Sequence, residues 1–232
     1  PPKKRILTII SGVFLGIHFA FFFSAVKMTS LANATLFGTL APVFTIILNY
    51  FIYKNKINKK IFMGLLLAFL GGFIMQGFEL NLESQGFKGD IAAVICSFWM
   101  ALVLIITKNI RKNHGTIIYS RLLYFSAALT LLGMIFIFNI SVRMPTQTEL
   151  GFLLLIGFIP NILGHSILYY SIRYLPASTV ASIPLGEPII VSLMGLLLFK
   201  EYIPASVFFG GAMVLLGLFI ILKYSDVEIS DH

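Results

Sequence analysis

Eight apolar runs, each about twenty residues long and set apart by short polar or charged stretches, fill most of the chain. They are Ile6 to Val26, Leu31 to Tyr53, Ile61 to Phe78, Gly89 to Thr107, Ile117 to Phe138, Leu150 to Ile172, Ala177 to Phe199 and Ala205 to Leu222. A helix of that length crosses a hydrocarbon core of roughly 30 Å. None of the runs shows the alternation of a barrel strand, and in lipid the backbone amides must find partners within the segment. The pattern predicts an all-α polytopic membrane protein.

A longer period lies over this one. Lys27 to Ile74 and Arg173 to Ile220 align without a gap at a constant offset of 146 residues, with 9 identities in 48 positions. Matches of Leu, Ile and Phe carry little weight in so apolar a chain. The informative pairs are Pro42 with Pro188, Gly64 with Gly210 and Gly71 with Gly217, because prolines and glycines punctuate helices and their contacts. Lys54 also falls on Lys200. The offset lays the first three runs over the last three, five spans later, and an odd step inverts the copy in the membrane.

Charge sets the direction. Of the 17 basic residues, 13 fall on one side of the alternating loops and only Lys27, Lys88, Arg143 and Lys200 on the other. The positive-inside rule then puts both termini in the cytoplasm, in a multi-pass cell (inner) membrane protein. Loops on the outer side carry Glu79, Glu83, Asp90, Glu149 and Glu201. Inverted repeats characterise secondary transporters, whose halves rock about a site near the midplane. The expected fold is a pair of inverted five-helix repeats with eight of ten helices present. Residues 1–87 hold the last three helices of the first repeat, and residues 88–232 the complete second. The runs from Gly89 and from Ile117 lack earlier counterparts, so the expectation is an N-terminally truncated ten-helix protein whose unit starts roughly 60 residues upstream.

Composition narrows the function. At 58% hydrophobic and 11% charged residues, with a mean hydropathy of +0.96, the chain belongs in a bilayer. The net charge of +8 is scattered in short clusters between spans, so it reads as topology and not as a nucleic-acid surface. Lys3, Lys4 and Arg5 ahead of an apolar run resemble a signal peptide, but the run is longer than the usual 7–15 residues. The single cysteine, Cys96, forms neither an intrachain disulfide nor a thiolate metal site alone. No zinc, haem or P-loop motif is present, so no cofactor or metal is expected and the drive is a gradient or exchange.

The stretch Phe23 to Lys27, through Ala32-Asn33-Ala34-Thr35 to Leu40-Ala41-Pro42-Val43, has a second-copy match. That match runs from Pro176 to Ala181, through Leu185-Gly186-Glu187-Pro188, to Lys200-Glu201 and a Gly-rich last helix. These residues resemble the EamA-type ten-helix carriers of the drug/metabolite transporter superfamily, over essentially the whole chain. The resemblance implies a cavity lined by the first, second, fourth, sixth and seventh runs. Asn55 departs from it, standing where the first copy often has an acid.

Several residues are candidates for the transport site. Glu187 lies near the middle of its run, where a charged carboxylate costs roughly 2.5–3.5 kcal/mol. It is read either as a carrier of a coupling proton or as a structural acid beside a proline break. Pro184 and Pro188, with Pro42 in the first copy, remove amide donors and leave carbonyls that must face protein or a watery cavity. Asn33, Thr35 and Thr39 precede Pro42. Asn161, His165 and Tyr169 recur every fourth residue and, in an α-helix, share one face suited to a substrate or to interhelical hydrogen bonds. His18, Phe22 and Trp99 are candidates to stack on a ligand or simply to pack. Gly64, Ala68 and Gly72, with Gly210 and Gly217, form small edges for close helix contact.

The expected function is secondary transport of a small polar or amphipathic metabolite, such as an amino acid, by alternating access, not enzymatic chemistry. Its expected partners are the small-molecule substrate and the lipid bilayer, with a proton as the candidate coupling ion, and no nucleic acid. The alternatives are an intramembrane hydrolase or lipid-modifying enzyme using His165, Ser166 and Glu187, or a non-transporting interaction subunit.

Overall fold

Residues 2–54, 58–76, 86–111, 116–200 and 202–229 are described by the computed structural model. Asn55, Glu201 and the end of the third predicted run, Gly77 and Phe78, lie outside the described residues. Among the described residues all regular structure is helical, and seven helices are long and apolar enough to cross a membrane. The third predicted run is met by a helix of 18 residues, Lys59–Gln76. The protein is an all-α polytopic membrane protein.

The helices are α1 (Pro2–Met28), α2 (Leu31–Gly38), α3 (Ala41–Tyr53), α4 (Lys59–Gln76), α5 (Gly86–Arg111) and α6 (Thr116–Ile137). They are followed by α7 (Gln147–Ile156), α8 (Ser166–Ser171), α9 (Ala177–Ser182), α10 (Glu187–Phe199) and α11 (Ala205–Ile229). A π-helical segment, Gly157–His165, joins α7 to α8, and a 3₁₀ turn, Ile183–Gly186, joins α9 to α10. Contacts group the chain into two compact units, Pro1–Ile17 with Leu102–Tyr174 and His18–Ala101 with Leu175–His232. This grouping differs from the division between residues 87 and 88 expected from the 146-residue offset.

In the first unit, Gly12 and Gly16 of α1 bring bare backbone against α6. A Cβ on Gly12 would stand 2.5 Å from Leu123 O, and one on Gly16 would stand 2.8 Å from Thr130 Cβ. Leu15, Val103, Leu104, Ile110, Leu123, Tyr169 and Ile172 are the large fully buried side chains of this unit. Three hydroxyls run through the apolar core: Ser11 Oγ lies 3.3 Å from Tyr119 Oη, which lies 2.5 Å from Thr107 Oγ1. Thr107 also donates to Val103 O at 2.6 Å, so each oxygen of the chain finds a partner away from water. The start of α7 carries a capping box. Thr146 Oγ1 accepts from Glu149 N–H while the Glu149 carboxylate accepts from Thr146 N–H and from Arg143.

The second unit holds α2, α3 and α4 together with α9, α10 and α11, and these elements coincide at the offset. α3 and α10 are each 13 residues long, and α2, α3 and α4 begin 146 residues before α9, α10 and α11. α3 and α10 end alike: Lys54 and Lys200 take left-handed conformations with φ of 58° and 55°. Their amides donate to Tyr50 O and Leu196 O, both at 3.0 Å.

α4 and α11 pack through glycine. A Cβ on Gly64 would stand 2.8 Å from Gly217 O, and one on Gly71 would stand 2.5 Å from Gly210 O. As one partner advances by seven residues the other retreats by seven, so the helices are antiparallel. The offset turns Gly64 into Gly210 and Gly71 into Gly217, and so carries this contact onto itself, as an isologous two-fold contact requires. Ala68 completes the edge, close to Gly217. The expected third member, Gly72, faces Leu36 of α2 instead, because a period of 3.6 brings residue i+7 and not i+8 back to the starting face. Ile61, Leu65, Ala68, Leu185 and Ile221 form the buried core beside the edge.

Candidate functional site

Proline is tolerated in the first turn of a helix, where its missing N–H would have had no intrahelical partner, and is resisted further in. Both repeated runs accordingly stop and restart just before their shared proline. α2 ends at Gly38 and α3 restarts at Ala41 with Pro42 in its first turn. The second copy narrows to the 3₁₀ turn Ile183–Gly186, opened by Pro184, and restarts at Glu187-Pro188. Thr39 closes the first break by donating from Oγ1 to Leu36 O at 2.8 Å and from N–H to Thr35 O at 3.0 Å.

Half-buried aromatic groups surround the α2–α3 break in the second unit. The Phe22 ring is 3.9 Å from the place of a Cβ on Gly38, and His18 stacks on Phe22 with ring centroids 6.5 Å apart. His18 Nδ1 lies 2.9 Å from Cys96 O, and a carbonyl only accepts, so Nδ1 carries the proton. Phe44 of α3 meets Phe98 of α5 edge-on at 5.6 Å, and Trp99 meets Phe98 at 5.8 Å. Phe44 and Phe98 escaped the sequence reading because the chain holds 23 phenylalanines and an apolar ring in an apolar run carries no local signal.

Asn33 is not free for a ligand in this arrangement. Its Nδ2 donates to Asp90 Oδ2 at 3.4 Å while Thr29 Oγ1 donates to Asp90 Oδ1 at 2.7 Å. Asp90 thereby ties the start of α5 to the α1–α2 corner. Gly89 lets the backbones approach, since a Cβ there would stand 2.7 Å from Thr29 N. With Asp90 held this way and Glu149 engaged at the cap of α7, Glu187 differs from both. It is exposed at the first position of α10, and among the described residues no hydrogen bond or ion pair holds its carboxylate.

Asn161, His165 and Tyr169 belong to the first unit, Asn161 and His165 in the π-helical segment and Tyr169 in α8. In π register each amide reaches the carbonyl five residues back instead of four. Asn161 Nδ2 donates to Ile156 O at 3.1 Å, and His165 Nδ1 donates to Pro160 O at 3.1 Å. Tyr124 of α6 donates to Asn161 O at 2.8 Å and lies 3.4 Å from Ser166 Oγ. Tyr169 is fully buried, with ring centroids 5.8 Å from Tyr119, 6.3 Å from Tyr124 and 6.0 Å from His165. Its place is a packing position. Among the described residues no group of three or more His, Cys, Asp or Glu is placed to hold a metal ion.

The model of the EamA-like transporter family matches residues 1–76 and 87–223. An uncharacterized transporter of Helicobacter pylori is 25% identical over 227 residues, covering 95% of this chain and 74% of that protein. The uncharacterized transporter YwfM of Bacillus subtilis is 24% identical over 93% of this chain and 72% of its own length. A protein of Escherichia coli described as a probable amino-acid metabolite efflux pump is 26% identical over 88% of this chain and 71% of its own. A crystal structure with a TM-score of 0.72 covers 96% of this chain and 88% of its own at 14% identity, a likeness of fold alone. With the broken helices, the glycine-packed pair and a family match spanning nearly every described helix, this chain belongs to the EamA-like transporter family.

Proposed function

We propose that the protein is a secondary carrier that moves a small polar or amphipathic metabolite, an amino acid or a close chemical relative, by alternating access. The observation that carries this reading is the isologous contact of α4 with α11, in which Gly64 meets Gly217 and Gly71 meets Gly210. Two copies related by an axis in the membrane plane can exchange roles, which is the mechanical basis of rocking about a central site. The paired helix breaks support a binding place there, because interrupted helices expose backbone groups where a solute replaces water. The amino-acid assignment draws on the name of the Escherichia coli relative and on aromatic and polar groups gathered near the first break. The termini are cytoplasmic, and the carrier works without chemical conversion of its substrate.

Glu187 is the coupling carboxylate in this reading. It starts a half-helix at depth, is exposed, and is not committed to a partner as Asp90 is. The test is uptake of a panel of labelled amino acids and related metabolites into proteoliposomes holding the full-length protein, at several pH values. Gradient-driven accumulation of at least one compound is expected, with a pH dependence that Glu187→Gln flattens. Absence of vectorial flux across the panel would remove the carrier assignment, and an unchanged pH profile in Glu187→Gln would remove the coupling role.

A further inference from the structure

We propose that Gly157–His165 exchanges between π and α registers, and that Asn161 and His165 are positioning residues that keep its carbonyls paired in both. A π-helical run of nine residues is long for a form that occurs mostly as single turns. Inside a membrane span it persists only if no carbonyl is left without a donor in either register.

Pro160 is the source of the degeneracy. In α register its missing N–H abandons Ile156 O, and its ring crowds that same oxygen. In π register Ile156 O is served by the amide of Asn161, five residues on. The Asn161 side chain also reaches Ile156 O, at 3.1 Å. That bond is surplus in π register, but in α register it supplies the donor that Pro160 lacks. His165 repeats the arrangement. Its Nδ1 covers Pro160 O at 3.1 Å, an oxygen that the Gly164 amide serves in α register and the His165 amide serves in π register. At the far end the Ser166 amide bonds to Leu163 O, and Tyr124 of α6 covers Asn161 O at 2.8 Å. A Cβ placed on Gly157 would meet no atom within 4 Å beyond its chain neighbours and its own helix backbone, so no tight packing holds the start of the segment.

A π turn packs more residues into each turn than an α turn does, so passage to α register lengthens the segment and rotates α8 relative to α7. As a moving part of a transport cycle, this inference rests on the carrier reading; as a property of the backbone, it does not.

The experiment uses the full-length protein with Cys96→Ala in nanodiscs, spin-labelled at Leu150→Cys and Ile167→Cys, two exposed positions flanking the segment. Pulsed electron–electron distances and flux of the labelled amino-acid panel are measured together. The parent is expected to show a short and a long population. Asn161→Leu strands Ile156 O in α register and is expected to lower the long population by about fivefold or more. Pro160→Ala removes the ring clash and is expected to shift the distribution to the long distance, and both variants are expected to slow flux. Asn161→Ala reads the same loss should the leucine variant not fold. One unchanged distance in all variants overturns the proposal, whereas shifted distances with undiminished flux support the exchange and overturn its part in the transport cycle. Shifted distances in a protein that moves no member of the panel support the exchange and overturn the carrier reading only.

Discussion

Lys54 and Lys200 end their helices with φ near the left-handed region that L residues avoid, at 58° and 55°. That conformation costs an L residue roughly 1–2 kcal/mol, and glycine avoids the cost while losing about 0.5–1 kcal/mol of chain entropy. Lys54→Gly and Lys200→Gly are therefore each expected to raise stability, by about 0.5 kcal/mol, and with the same sign because the two caps are built alike. Thermal melting of the purified variants checks this, and a loss at either site would show that the lysine side chain has a role outweighing its backbone. At Asp90 the residue scale teaches the opposite lesson. Taken by sequence as an acid of an outer loop, it is the acceptor for Thr29 and Asn33, partners 61 and 57 residues away. No local pattern announces such a bond.

Among elements, the α4–α11 pair is the most constrained. Gly71 faces Gly210 O at a spacing that no side chain fits, whereas a Cβ on Gly72 would meet Leu36 Cδ1 at an ordinary 3.4 Å. Gly71→Leu is expected to destabilise by about 1–3 kcal/mol or more, the usual cost of overpacking, with a corresponding fall in folded yield. Gly72→Ala is expected to melt close to the parent. Fluorescence-detected size exclusion after heating separates the two, and equal tolerance at both positions would mean that the helices are not held this closely. The span from Gln147 to Ser171 shows a different control of shape. Pro160 removes one amide from this span, and the tertiary structure adds Tyr124 of α6, which covers Asn161 O within the π-helical segment.

At the scale of the whole molecule, direction in the membrane is the property that charge alone assigns. Thirteen of the 17 basic residues lie on the side given to the cytoplasm. With Cys96→Ala as background, Ser141→Cys in the exposed α6–α7 loop is expected to react with an impermeant maleimide on intact cells. Lys3→Cys, at the start of α1, is expected to react only after the membrane is opened. The reverse pattern would invert the topology and with it the reading of uptake and export.

The sequence by itself determined the helical class, the number of apolar runs and the 146-residue repetition, because burial in lipid and the hydrogen-bond demands of the backbone act on each segment alone. It also placed the prolines before which the chain interrupts its helices, since a missing amide is a local fact. Only the tertiary structure decided which glycine of a stripe meets a neighbour, that Asn33 is spent on Asp90 and that Tyr169 is packed away. The same holds for the cover that Tyr124 gives Asn161 O in the π turn. Each of these depends on a partner brought near by folding, and the free energy of such a contact belongs to the pair and not to either residue's place in the chain.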